Sequence, residues 1–180
     1  METLRRDAAR NRDRILAVAR EATDRGEALS MNAVARAADV GVGTVYRHFA
    51  TVAELEEVVA CARFDELDAL LDGSGADRFE RAITAHVGLL VADPLFEAVT
   101  ARPEPLLPET AAKRDALIAR LDDVLDDART DGRVRPDIDA AAILLLTCGV
   151  AHSIRTAGIA PDGPQAQTLV EVVLRGIRAD

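Results

Sequence analysis

Between Gly43 and Phe49 the chain reads Gly-Thr-Val-Tyr-Arg-His-Phe. A hydroxyl, a phenol, a guanidinium and an imidazole follow one another within a single short segment. Such groups donate hydrogen bonds to phosphate oxygens and to base edges, the two kinds of contact that position and specify a protein on nucleic acid. The side chains that covalent or metal chemistry needs are not grouped in this way. His48, His86 and His152 are scattered, and Cys61 and Cys148 lie far apart without metal-ligand spacing. No phosphate-binding loop and no nucleophile motif is present. The sequence therefore points away from an enzyme, and no catalytic residue, metal or cofactor is expected.

The residues before this segment supply the scaffold. Ser30 precedes an apolar-periodic run, so its hydroxyl is placed to cap a helix over Met31 to Ala38. Val34, Ala35 and Ala38 fall on one face of that helix. Ala35 is small enough to let a second helix cross closely. A turn at Asp39 to Gly41 needs a left-handed residue, and Asp accepts that conformation better than most. Val40 is placed to fill the space between the helices. Gly41 is the next N-cap, a role in which Gly is only a few tenths of a kcal/mol worse than Ser. A second helix then runs from Val42 to His48, with Val45 and Phe49 inward and Val42, Thr44, Tyr46 and Arg47 outward.

This arrangement resembles the helix-turn-helix of TetR-family transcriptional regulators. Ser30, Val34, Ala35, Ala38, Val40, Gly43, Thr44, Tyr46, His48 and Phe49 match the family's pattern in one register. The resemblance covers about the first third of the chain; beyond it only the length and the helical pattern agree. It implies an all-α fold of about nine helices. Residues 1–50 would form a three-helix DNA-binding domain, with the motif at 30–49. Residues 51–180 would form a helical domain for effector binding and dimerisation. The implied DNA-binding set is Ser30, Asn32, Val42, Gly43, Thr44, Tyr46, Arg47 and His48. His48 either contacts a phosphate or braces the turn. The family commonly places a Lys three residues after the final Phe; Val52 stands there, which removes a phosphate contact. Backbone N–H groups at Thr51 to Ala53 are the alternative anchor.

Charge divides as this reading requires. The chain carries a net −9, yet residues 1–49 hold nine Arg against seven acidic residues, and residues 50–180 hold 13 Lys or Arg against 24 acidic residues. The head is at +2 and the body at −11, and the acidic body is repelled by DNA. Arg5, Arg6, Arg10, Arg12 and Arg14 crowd the N-terminus. Arg5 and Arg6 sit either on an arm reaching a phosphate or narrow minor groove, or on a solvated tail.

Along the chain the periodicity predicts helices over Asp7–Asp24, Met31–Ala38, Val42–His48, Val52–Leu71, Ala76–Ala92, Pro94–Thr100, Glu109–Thr130, Asp137–Thr156 and Gln165–Ile177. Thr51 and Glu54 form a capping box for the fourth. Its expected stripe is Leu55, Val58, Val59, Ala62, Leu70 and Leu71, and Gly73-Ser74-Gly75 ends it. Hydrophobic residues make up 49% of the chain and aromatics only 3%, so the core is aliphatic. The helix over 137–156 is apolar almost all round. The last helix presents Leu169, Val170, Val172, Val173, Leu174 and Ile177. Both carry more apolar surface than a monomer core requires, and the resemblance implies a homodimer through these two helices.

The resemblance further implies a small-molecule effector, and the aliphatic composition favours a hydrophobic one. Candidate contacts are Phe79, His86, Phe96, Leu117, Arg120, Thr147 and Cys148. His86 and His152 read equally as core histidines with satisfied partners. A dimeric, ligand-released repressor of operator DNA is the leading expectation. A DNA-binding architectural or partner-dependent factor without an effector is the alternative, since it would share the same head. Free thiols, no apolar leader and no apolar run long enough to span a bilayer place the chain in the cytoplasm.

Overall fold

A computed structural model describes residues 2–72 and 77–179, with side chains from Arg6 onward. Nine α-helices follow one another among these residues: α1 (Glu2–Asp24), α2 (Met31–Ala37), α3 (Val42–His48), α4 (Val52–Leu70), α5 (Arg78–Ala92), α6 (Pro94–Thr100), α7 (Pro108–Thr130), α8 (Ala140–Thr156) and α9 (Pro164–Ile177). There is no strand among them, only an isolated bridge between Val134 and Arg178. The Gly73-Ser74-Gly75 break, the expected start at Ala76 and the Arg5 side chain lie outside the described residues. Where the sequence left Arg5 and Arg6 on either an arm or a solvated tail, α1 is helical from Glu2, because nothing before Asp7 breaks the run.

Two apolar clusters organise the molecule. The head cluster joins Ile15 and Ala19 of α1, Met31, Val34, Ala35 and Ala38 around α2, Val45 and Phe49 around α3, and Leu55 and Val59 of α4. The body cluster begins on the same helix at Ala60, Phe64 and Leu67 and continues through α5 to α9. α4 thus contributes to both. Its buried face differs from the expected one. Ala62 is exposed and Leu70 only partly covered, while Glu57, Ala60, Cys61, Phe64 and Leu67 are buried. The buried face widens because α4 packs on α1 of the head and on α5, α6 and α7 of the body. Phe64 meets Phe96 of α6 edge to face, with ring centroids 5.1 Å apart.

Polar bridges reinforce α4 on both sides. The Arg63 Nε–H donates to Asp93 Oδ2 at 2.9 Å, and its guanidinium also faces Glu66 at 2.8 Å and Asp24 of α1 at 3.9 Å. Asp93 itself accepts from the Phe96 N–H at 2.9 Å and so caps α6. In the body, buried Glu97 receives His152 Nδ1 at 2.8 Å and the Arg155 guanidinium, tying α6 to α8. No single helix among the described residues is long and apolar enough to cross a membrane.

Candidate nucleic-acid interface

The turn between α2 and α3 forms as its residues dictate. Asp39 adopts φ 51°, a left-handed conformation, alone among the described non-glycine residues. The Val40 N–H donates back to Ala35 O at 3.0 Å and the Asp39 N–H to Arg36 O at 3.3 Å. This double closure is a Schellman motif, with Asp where Gly is commonest. Ser30 Oγ accepts from the Ala33 N–H at 3.2 Å and starts α2. Gly41 starts α3 without a side-chain cap, and a Cβ there would meet only Thr44 Oγ1 at 3.9 Å. Nothing steric reserves that position for Gly.

α3 is thereby held with one face in the core and one in solvent. Val45 and Phe49, four residues apart, are buried in the head cluster. Val42 and Tyr46, also four apart, stand 40% and 54% exposed on the other side. Between them Gly43 has open space where a side chain would be. Arg47 lies back along its own helix: its Nε–H donates to Gly43 O and its Nη2 to Thr44 Oγ1, each at 3.1 Å. The guanidinium is thereby held against α3 itself. Asn32 is exposed on the first turn of α2, and Ser30 remains exposed although its oxygen is engaged as a cap. His48 is half-buried, its ring 6.3 Å from that of Phe49.

The flanks of α3 differ from expectation in two ways. Arg12 is not a free cation: its guanidinium lies 4.8 Å above the centre of the Phe49 ring, a cation–π contact joining α1 to α3. At the start of α4 the Thr51 hydroxyl accepts from the Glu54 N–H at 3.1 Å, as expected of a capping box. The reciprocal bond goes from the Ala50 N–H to Glu54 Oε2 at 2.7 Å, one residue earlier than the motif prescribes. Glu54 therefore puts a carboxylate at the helix end where Val52 replaces the resemblance's Lys. Val52 packs half-buried against the head cluster.

The candidate effector residues are brought together only in part. His86 and Leu117 line a small, half-open hollow of about 20 Å³ walled by leucines of α4, α7 and α8 with Ala82 and Ile83 of α5. Thr147 stands behind His86, its Oγ1 3.4 Å from Nδ1, while it also donates to Leu144 O at 2.9 Å. Burial pushes the His86 pKa down to about 4, so this imidazole is neutral. Phe79 and Phe96 are buried packing residues outside that wall. Cys148 is half-buried against the body cluster, where burial raises its thiol pKa. Arg120 is elsewhere: its guanidinium bridges Asp68 at 3.0 Å and Asp72 at 2.6 Å along the seam of α4 and α7. A cation drawn toward two carboxylates one turn apart has no reason to enter an aliphatic hollow. A wider, open groove of about 450 Å³ runs between α5, α8 and α9 and contains none of the expected residues.

Sequence reasoning missed the buried carboxylates Glu57 and Glu97. A Glu on an amphipathic helix reads as solvated unless its distant partner is known, and the partners are 45 or more residues away.

Comparison with known proteins agrees with this geometry along the whole chain. Residues 15–57 match the family described as bacterial regulatory proteins, tetR family. Residues 77–179 match the C-terminal domain described as transcriptional regulator SbtR-like. The chain is similar to the TetR transcription regulatory protein from Mycobacterium vanbaalenii, at 31% identity over 98% of this chain and 99% of that one, with a TM-score of 0.56. A protein of unknown function from Rhodococcus sp. RHA1 shares 22% identity over 93% and 95% of the two chains, with a TM-score of 0.66. The transcriptional regulator FadR from Bacillus subtilis, solved in complex with stearoyl-CoA, shares 15% identity over 91% and 98%, with a TM-score of 0.61. No curated protein matches the sequence significantly.

Proposed function

The chain belongs to the TetR family of bacterial transcriptional regulators, and on that premise we propose that it is a dimeric repressor that reads operator DNA through α3. One observation carries the reading: Val42 and Tyr46 stand exposed over the buried pair Val45 and Phe49, with Thr44 and Arg47 alongside. Tyr46 and Arg47 supply base-edge and phosphate donors, Val42 an apolar contact for a thymine methyl, and Gly43 close backbone approach. Ser30, Asn32 and His48 frame this surface. Residues 1–50 act as the reading head and residues 51–180 as the regulatory body, with α4 connecting them.

Dimerisation through α8 and α9 is supported by the apolar surface these helices leave uncovered. Leu145 is 75% exposed, Leu146 44% and Val172 63%. Two heads so paired reach half-sites about one helical turn, or a multiple of it, apart. The protein works in the cytoplasm, where the DNA is.

For the effector, the aliphatic wall around His86 and Leu117 favours a hydrophobic molecule, as does the fold shared with a stearoyl-CoA-binding neighbour. The hollow is the size of about one water molecule. A hydrophobic effector larger than this acts by widening the half-open hollow between its leucine side chains, and it selects a body conformation different from this one. The same close packing favours a second reading, a regulator without a small-molecule effector.

The deciding experiment measures binding to DNA upstream of the protein's own gene as a function of salt, for the native chain and for Tyr46→Ala. Selective binding with a steep salt slope is expected. Tyr46→Ala should lose about 1–3 kcal/mol of that affinity while melting unchanged. Equal affinity of the two proteins for a selected operator would remove α3 as the reading element.

A further inference from the structure

Glu57 is the only buried charged side chain on α4 among the described residues, and it is wholly inaccessible. It sits between Leu55 and Val59, two residues from each. Two residues along an α-helix is a rotation of about 200°, so Glu57 leaves the helix on the side opposite those two. Leu55 and Val59 belong to the head cluster. The opposite side faces the chain between α6 and α7. There Glu57 Oε1 accepts from the Leu106 N–H at 2.7 Å and from Arg102 Nη1 at 3.2 Å, and Oε2 accepts from the Leu107 N–H at 3.0 Å. Arg102 adds bonds to Glu56 Oε2 at 2.7 Å and Ala53 O at 3.3 Å.

We infer that Glu57 is a positioning residue for the head: it fastens residues 102–107 to the one stretch of α4 whose other side is built into the head's core. Three features carry this. The gripped segment is stiff, with Pro103, Pro105 and Pro108 limiting its backbone. It leads directly into α7, of which Leu107 is the N-cap, and the Arg114 guanidinium of α7 holds it from the other end through Arg102 O at 3.1 Å and Pro103 O at 3.3 Å. α7 also supplies Leu117 and Leu121 to the aliphatic hollow. A displacement of α7 thus reaches the first turns of α4, and with them the head, without passing along the C-terminal half of α4. Burial acts to raise the Glu57 pKa, but the Leu106 and Leu107 N–H groups and Arg102 outweigh it and hold the carboxyl below its ordinary range. The charged form is the one that grips. The inference rests on the regulatory reading above only for its consequence, since head placement is measurable without DNA.

The test is a distance measurement within one chain. Nitroxide labels on Ala37→Cys in the head and Asp127→Cys in the body, with Cys61 and Cys148 replaced by Ala, are read by pulsed electron resonance in the full-length protein. Labelled chains are diluted in unlabelled ones so that only distances within a chain contribute. Glu57→Gln keeps the shape and removes the charge; Arg102→Ala removes the second partner and serves if Glu57→Gln does not fold. Lys113→Ala breaks an exposed bridge to Asp65 between the same two helices, and it is the control. A shifted or broadened head-to-body distance in Glu57→Gln or Arg102→Ala, with helical content retained and Lys113→Ala unchanged, is the expected result. Native distances in the folded Glu57 and Arg102 variants, or equal broadening in all three, would overturn the inference. Failure of the DNA-reading proposal would show separately, in Tyr46→Ala.

Discussion

Head and body are held by different physics. Every buried member of the head cluster is apolar, and the cluster is drawn from a continuous stretch between Ile15 and Val59. The body buries Glu57, His86, Glu97, Thr110 and Thr147, and the bonds of Glu57, His86 and Glu97 close over 45 to 61 residues. A head whose core is wholly apolar is held by non-directional contacts that tolerate small shifts. A body pinned by long-range directional bonds has discrete arrangements, because each bond is either made or lost at the full cost of a buried polar group. That division suits a reading unit carried on an adjustable support.

The largest expected effects test whether the two cores are separate units. Phe49→Ala and Phe79→Ala each delete a buried ring and should each cost about 3–5 kcal/mol. In calorimetry Phe49→Ala should melt the head ahead of the body, whereas Phe79→Ala should lower the body transition. Coincident, single transitions in both variants would mean one cooperative core and would break the comparison.

A second test uses the polar character of the body alone. In the folded protein the His86 pKa is about 4; unfolded, it titrates near 6.5. Between those values the unfolded chain binds the extra proton. The contribution of neutral His86 is complete above pH 6.5, and roughly 3 kcal/mol is lost as pH falls to 4. Urea unfolding at pH 7 and pH 4.5 should therefore show a flatter acid slope for His86→Gln than for the native chain. Parallel slopes would show that this histidine is not held neutral by burial.

Two smaller effects sharpen the claim that the head is locally determined. Ser30→Ala frees the Ala33 N–H and should destabilise the head by about 1 kcal/mol. Asp39→Gly relieves a left-handed Asp and should stabilise it by about 0.5 kcal/mol. Both belong to the head transition; a shift of the body transition alone would contradict the assignment of these turns.

The head was legible because its determinants sit next to one another. The Ser30 cap, the left-handed Asp39, the inward Val45 and Phe49 and the exact span of α3 all follow from spacing within 20 residues. The body's helices were legible to within a few residues for the same reason, since periodicity and caps are local. Their partners were not. Arg12 reads only as one of five N-terminal arginines, and Arg120 as a candidate effector contact. One lies on the Phe49 ring and the other between two aspartates, partners distant in sequence that local spacing does not reveal.

The sequence by itself determined that this is a helical DNA-reading protein, since helix propensity, capping and the face of α3 depend on residues a few positions apart. Only the tertiary structure decided which carboxylates are buried, how small the hollow beside His86 is, and that α4 is gripped from both sides at Glu57. Those outcomes depend on which surfaces meet across tens of residues, and the packing of the helices settles that as a whole rather than any local spacing.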